Sequence, residues 1–162
     1  IMTIGGSWNV RFQPNRGAPA NAKFDKLTSY TENRDRGIKY FSGTATYSKT
    51  INVPSSSFSK ANKTFIDLGD VMNLAEVNVN GKSLGIVWKQ PYRVDVSNAL
   101  KPGENKVIIK VINLWVNRLI GDMQPGMNHK ITFTSFPLYR ADSKLQPSGL
   151  LGPVKIISVS EQ

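Results

Sequence analysis

An Asn-Gly pair, Asn80-Gly81, set between two runs of alternating residues, is the feature that most limits what this chain can become. A two-residue turn between antiparallel strands needs φ > 0 at both positions, which glycine reaches freely and asparagine cheaply. Before the pair, Ala75, Val77 and Val79 alternate with Glu76 and Asn78, the period of a strand with one face buried. After it, residues 84–88 return as the partner strand. Pro91 interrupts the pattern because it cannot donate to a sheet ladder, and Tyr92, Val94 and Val96 resume the alternation on a new strand. Residues 97–100 read as one helical turn, and Pro102-Gly103-Glu104-Asn105 as the turn that follows. Residues 107–114 are apolar at most positions on both faces, which predicts a central strand.

The rest of the chain repeats this grammar. Trp8, Val10 and Phe12 alternate with Asn9 and Arg11 as a first strand, and Ala22, Phe24 and Leu27 suggest a short edge strand. Residues 30–37, with Glu32, Arg34, Asp35 and Arg36, read as an exposed loop. Ala45, Tyr47, Ile51 and Val53 then share one face of a long strand, with Thr44, Thr46, Ser48, Thr50 and Asn52 on the other. Residues 64–68 begin the next strand, Ile131, Phe133 and Phe136 mark another, 137–152 form a long irregular stretch, and 154–159 close the sheet. Eight to ten short strands without a long helix predict an all-β fold, a two-sheet jelly-roll sandwich. With 162 residues, 40% of them apolar, the chain is sized for a single β-sandwich module over 1–162. No apolar run has the length of a transmembrane helix, and no membrane partner is expected.

Several motifs fall in a familiar order. Asn80-Gly81, Gly85, Pro91-Tyr92-Arg93-Val94-Asp95-Val96 and Lys101-Pro102-Gly103-Glu104-Asn105 resemble the sugar-binding domain of family 2 glycoside hydrolases, a galactose-binding-like jelly roll. The run 113–122, NLWVNRLIGD, is similar to the β-sandwich module at the carboxyl end of family 106 enzymes, the α-L-rhamnosidase group, as are Gly6-Ser7-Trp8-Asn9-Val10-Arg11-Phe12, residues 40–47 and residues 148–154. The resemblance implies a non-catalytic module of a larger glycoside hydrolase acting on plant polysaccharide. Its partners would be carbohydrate and the catalytic domain of the parent enzyme, in the periplasm or outside the cell. The opening Ile1-Met2-Thr3-Ile4-Gly5-Gly6 reads as the middle of something longer. The absence of cysteine excludes a disulfide framework and a thiolate nucleophile and leaves the compartment open.

The charge of +10, from 21 Lys and Arg against 11 Asp and Glu, attracts polyanions in general. It admits an autonomous carbohydrate-binding module for acidic polysaccharide, or a basic nucleic-acid-binding β-domain. Against nucleic acid, the aromatics fall at core-period positions and are not interleaved with a stripe of Lys and Arg. A complete enzyme is not expected. Glycoside hydrolysis generally requires two carboxyl groups flanking the bond, and no arrangement in the sequence pairs two of the acids. Asp67, Asp70 and Asp95 read as turn and edge residues. The family's catalytic carboxylates belong to a separate body, so no catalytic residue carries over. His129, the single histidine, lacks the partners of a zinc site. No cofactor is expected, and a structural calcium is the one ion left open, because backbone carbonyls can ligate it without a sequence trace.

The constellation that could meet a sugar is Asn113, Trp115 and Asn117. If the strand runs on through them, its period of two places an indole between two amides on one face. An aromatic ring covers the C–H face of a sugar, and amides serve its hydroxyls. Arg118 and Asp122 follow at the expected strand end. The structural alternative makes Trp115 core, has Asn113 and Asn117 bonding loop backbone, and pairs Arg118 with Asp122. Trp88 and Tyr92, around Lys89-Gln90-Pro91, form a second candidate platform, or pack in the core or an interface.

Overall fold

A computed structural model describes residues 1–58 and 62–160. Its strands are β1 (Met2–Thr3), β2 (Trp8–Phe12), β3 (Asn21–Phe24), β4 (Thr44–Val53), β5 (Asn62–Asp67), β6 (Asp70–Met72), β7 (Leu74–Val79), β8 (Lys82–Val87), β9 (Arg93–Asp95), β10 (Gly103–Ile112), β11 (Gly149–Gly152) and β12 (Lys155–Ser160). Two short helices, α1 (Arg36–Lys39) and α2 (Val116–Asp122), interrupt them. A six-stranded sheet has the order β3-β2-β4-β10-β7-β8, a four-stranded sheet the order β1-β12-β5-β9, and β11 pairs with β6 as a separate ribbon. All these strand pairings are antiparallel. No helix among the described residues is long and apolar enough to cross a membrane.

The alternation in the sequence is what makes two sheets close on one another. Val10, Tyr47, Val77 and Ile109 from the larger sheet, Ile66, Val94 and Ile156 from the smaller, and Val71 and Leu150 from the ribbon belong to one buried cluster. β2, β7 and β10 contribute every second residue to the interior, so the other face of the larger sheet stays available to solvent. The expected central strand is β10, registered along its whole length with β4 and along six residues with β7. Its inner residues Asn105, Val107, Ile109 and Val111 are buried, whereas Lys106 and Lys110 point outward.

The hairpin expected at Asn80-Gly81 is present, with φ of 52° and 84°. Asn80 also ties the hairpin to its neighbours. Its amide donates to the Ala99 carbonyl (2.9 Å) and to Asn105 Oδ1 (2.8 Å), and its Oδ1 accepts the Lys106 N–H (2.9 Å). Asp67 and Asp95 have the expected turn roles, accepting the N–H of Gly69 and of Ser97.

Three expectations are corrected. Residues 30–37 are not simply an exposed loop. They hold a 3-10 turn, Tyr30–Glu32, and the start of α1, capped by Asp35 accepting the N–H groups of Gly37 and Ile38. Tyr30 is buried there among Phe12, Phe24 and Phe41, with ring centroids 5.7–6.3 Å away, because edge-to-face aromatic packing recovers more than exposure would. Residues 131–136 are not a strand. Side chains of Asp122 and Thr134 take the N–H groups of Ile131, Thr132 and Phe136, and no sheet edge is offered to them. Finally, β10 ends at Ile112, and the chain turns into a helix where the strand was expected to continue.

Tyr47 joins the ribbon to the sandwich. Its hydroxyl accepts the buried Leu150 N–H at 3.2 Å, and burial pushes that hydroxyl's pKa up to about 12. Gly149, at φ 94°, lies so close that an added Cβ would come within 2.6 Å of the Tyr30 ring. A Tyr47→Phe variant keeps the packing and strands the Leu150 donor. We expect it to unfold about 1–3 kcal/mol more easily in urea, with an unchanged far-UV spectrum.

Candidate interface and sugar-contacting site

Beyond Ile112 the chain gives up sheet pairing, and side chains take over the backbone's hydrogen bonds. Asn113 is buried in this bend. Its Nδ2 donates to the Phe41 carbonyl (2.8 Å) and its Oδ1 accepts the Gly43 N–H (2.9 Å). Ser42, fully buried, donates to the Leu114 carbonyl (2.8 Å) and accepts the Arg118 N–H (3.2 Å), fastening the start of α2 to the residues that lead into β4. Gly121 lets the helix close on Tyr40, because a Cβ there would lie 2.5 Å from that residue's Cβ.

Asn117, Arg118 and Asp122 lie on the buried side of α2. Asn117 exchanges a pair of hydrogen bonds with the backbone of Gln146, at 2.7 and 2.8 Å. Arg118 Nε donates to Asp122 Oδ1 at 3.0 Å, an i,i+4 pair in which both side chains are buried. The Asp122 carboxylate further accepts the N–H groups of Ile131 (3.2 Å) and Thr132 (2.8 Å) and the Thr132 hydroxyl. Burial alone would raise its pKa. The donors from Thr132 and Ile131, with the Arg118 charge, outweigh that effect and hold it below the ordinary carboxylate value. Two side chains of one helical turn and a half therefore hold the segment 123–148 at residues 131–132 and at Gln146.

With its polar side turned inward, α2 presents Leu119 and Met123 to a surface cavity of about 290 Å³. Phe133, Phe136 and Leu138 complete the apolar lining and are 94%, 71% and 75% exposed. Together they form an exposed apolar patch at one end of the sandwich.

The structure thus brings together Asn113, Asn117, Arg118 and Asp122, but not on a strand face. The strand continuation that would have aligned Asn113, Trp115 and Asn117 is absent, because the backbone is already helical at Trp115, the residue before α2. The amides bond backbone and Arg118 pairs with Asp122, as in the structural alternative, whereas Trp115 is not core. It is 44% exposed, with the Arg16 guanidinium 4.7 Å from its ring centroid. Trp88 is 67% exposed beside Lys89, while Tyr92 is half-buried against the core, and no ring contact joins the two among the described residues. His129 is exposed in the segment 123–148. No group of three or more His, Cys, Asp or Glu is placed to hold a metal among the described residues.

Ser42, Thr132, Gln146 and the exposed apolar trio were not singled out from the sequence. A signal for the helix existed: Val116, Leu119, Ile120 and Met123 recur at i, i+3, i+4 and i+7, the helical period.

A sandwich of one large and one small antiparallel sheet, ending in a helix-anchored segment with exposed apolar groups, defines the class: a galactose-binding-like β-sandwich. The family model described as glycosyl hydrolase 2 galactose-binding domain-like matches residues 23–139, and the chain belongs to that family. A solved rhamnosidase from Novosphingobium sp. PP1Y is 46% identical and superposes with a TM-score of 0.93 over 98% of this chain and 15% of that one. A protein of Formosa agariphila described as "Putative beta-glucuronidase" is 39% identical over 96% of this chain and 15% of its own length. The β-glucuronidase of Ruminococcus gnavus, 21% identical with a TM-score of 0.57, covers 68% of this chain and 20% of that one and shares the fold. The chain thus corresponds to a small domain within larger glycosidases, spanning about 15% of the curated relative it matches. The resemblance read from the sequence is borne out.

The Asp122 cluster generates two expectations. Asp122→Asn leaves the buried Arg118 without its counter-charge and should cost about 3–5 kcal/mol in urea unfolding. In the unaltered chain the lowered carboxylate pKa contributes stability that is complete above the unfolded value of about 3.9 and is lost as pH falls through the folded value. Hydrogen-exchange protection factors at the Ile131 and Thr132 amides should therefore fall at acid pH before those of the β10 amides do.

Proposed function

We propose that this chain is the non-catalytic accessory β-sandwich of an α-L-rhamnosidase-type glycoside hydrolase acting on plant polysaccharide, and that the α2 end of the sandwich docks on the catalytic body. The observation that carries the reading is the 46% identity and TM-score of 0.93 to a rhamnosidase over nearly the whole chain but only 15% of that enzyme. A module of that proportion has most of an enzyme to pack against. The apolar end formed by Leu119, Met123, Phe133, Phe136 and Leu138 suits such a contact. The internal partners of Asn113, Asn117, Arg118 and Asp122 favour positioning roles for them, holding the docking segment in shape. Trp115, with Arg16 stacked on it, is the member of the group free to meet a sugar at the rim of the substrate cleft. A polymeric substrate also favours work in the periplasm or outside the cell.

The 39% identity to the Formosa protein supports a second reading, a β-glucuronidase parent. Expressing the full reading frame that encodes this chain and assaying it on nitrophenyl α-L-rhamnoside and β-D-glucuronide separates the two. Turnover of the rhamnoside is expected; turnover of the glucuronide alone, or a frame without a glycosidase body, would overturn the proposal. The separately expressed sandwich should bind the catalytic body, and Phe133→Ser with Phe136→Ser should weaken that binding at least tenfold, about 1.4 kcal/mol.

A further inference from the structure

The outer face of the six-stranded sheet plays no part in the docking end. Its residues follow from the register. Arg11 on β2 lies opposite Asn21 on one side and Thr46 on the other, and Thr46 lies opposite Lys110. In the next row Asn9 lies between Lys23 and Ser48, and Ser48 faces Ile108. Two adjoining hollows occupy this face. One, of about 650 Å³, is bordered by Arg11, Lys23 and Lys106 with Ile108 in its wall; the other, of about 530 Å³, shares Arg11 and Thr46 and reaches Lys110.

The charge balance of this face is unusual for a merely solvated sheet, which intersperses both signs. Arg11, Lys23, Lys106 and Lys110 are exposed and none has an ion pair among the described residues; against these four cations stand two acids, Glu76 opposite Lys110 and Glu104 two residues before Lys106 on β10. Strands lie about 4.8 Å apart, so Arg11 on β2 and Lys110 on β10, with β4 between them, are set on the order of 10 Å apart by a rigid ladder. Between the cations stand amides and hydroxyls, the groups that exchange hydrogen bonds with vicinal sugar hydroxyls. Ile108 offers an apolar seat for a C–H face. None of the outward residues of these two rows is aromatic, so the face lacks the stacking platform that single-stranded nucleic acid requires.

We infer that this sheet face binds an acidic polysaccharide, its anionic groups held by Arg11, Lys23, Lys106 and Lys110 and its hydroxyls by Asn9, Asn21, Thr46 and Ser48. The choice of a glycan as the polymer rests on the accessory-domain reading above; the choice of an acidic one rests on the cations. The anion is a carboxylate or a sulfate, and the ligands of the test separate them.

The experiment is isothermal titration of this chain with oligogalacturonate, with a sulfated galactan oligosaccharide, with a neutral galactan of equal length and with an oligonucleotide of equal charge. Saturable binding of one or both acidic glycans is expected, with no heat from the neutral one. Arg11→Ala combined with Lys110→Ala should weaken binding at least tenfold while the melting temperature holds. Arg140→Ala with Lys144→Ala, which removes the same charge from the segment 123–148, should leave the affinity unchanged. Failure of a folded chain to bind either acidic glycan, equal loss in the two double variants, or equally tight binding of the oligonucleotide would each overturn the inference. Because this readout is direct binding to the chain, a negative result leaves the parent's hydrolytic activity to be judged separately.

Discussion

Burial of the inner side of β10 between β4 and β7 is the constraint on which the rest of the molecule depends. Ten residues of β10 are registered with β4 and six with β7, so a slip of one position would turn Val107, Ile109 and Val111 outward and Lys106 and Lys110 into the core. Desolvating two lysines without partners is far costlier than any local preference could offset. The register is therefore fixed, and it determines both what the large sheet shows to solvent and where the chain stands when β10 ends.

At that end the physics changes from strand ladder to side-chain scaffolding. A segment as long as 123–148 without regular structure has backbone groups that need partners, and Asn117 and Asp122 supply them from a helix of seven residues. Turning these polar groups inward leaves Leu119 and Met123 to border a surface cavity. The inward polar groups of α2 thus order the segment whose Phe133, Phe136 and Leu138 form the exposed apolar face.

The two faces differ in chemistry. The α2 end offers apolar area and few charges, as protein contacts do at their centre. The outer sheet offers cations at fixed spacing amid hydroxyls and amides. One accessory domain can hold both because the sandwich keeps them on separate surfaces.

Strand periods, the Asn80-Gly81 turn, the centrality of β10 and the turn roles of Asp67 and Asp95 were legible from the sequence, because each rests on contacts between near neighbours or on a pattern of period two. The motif order likewise led to the family. Tyr30 was misread as exposed because its burial depends on Phe12, Phe24 and Phe41 arriving from other elements. For Asn113, Asn117, Arg118 and Asp122 the sequence admits both a sugar-facing strand and the partners found, amides on backbone and Arg118 with Asp122; the helix that carries three of them was not legible, since apolar residues around 107–116 suit a continuing strand as well as a strand followed by a helix. The sequence by itself determined an all-β sandwich and the positions that matter at its end. Only the tertiary structure decided which of those polar groups face inward, because that depends on where Ser42, Gln146 and Thr132 lie in space, at separations along the chain that no local period encodes.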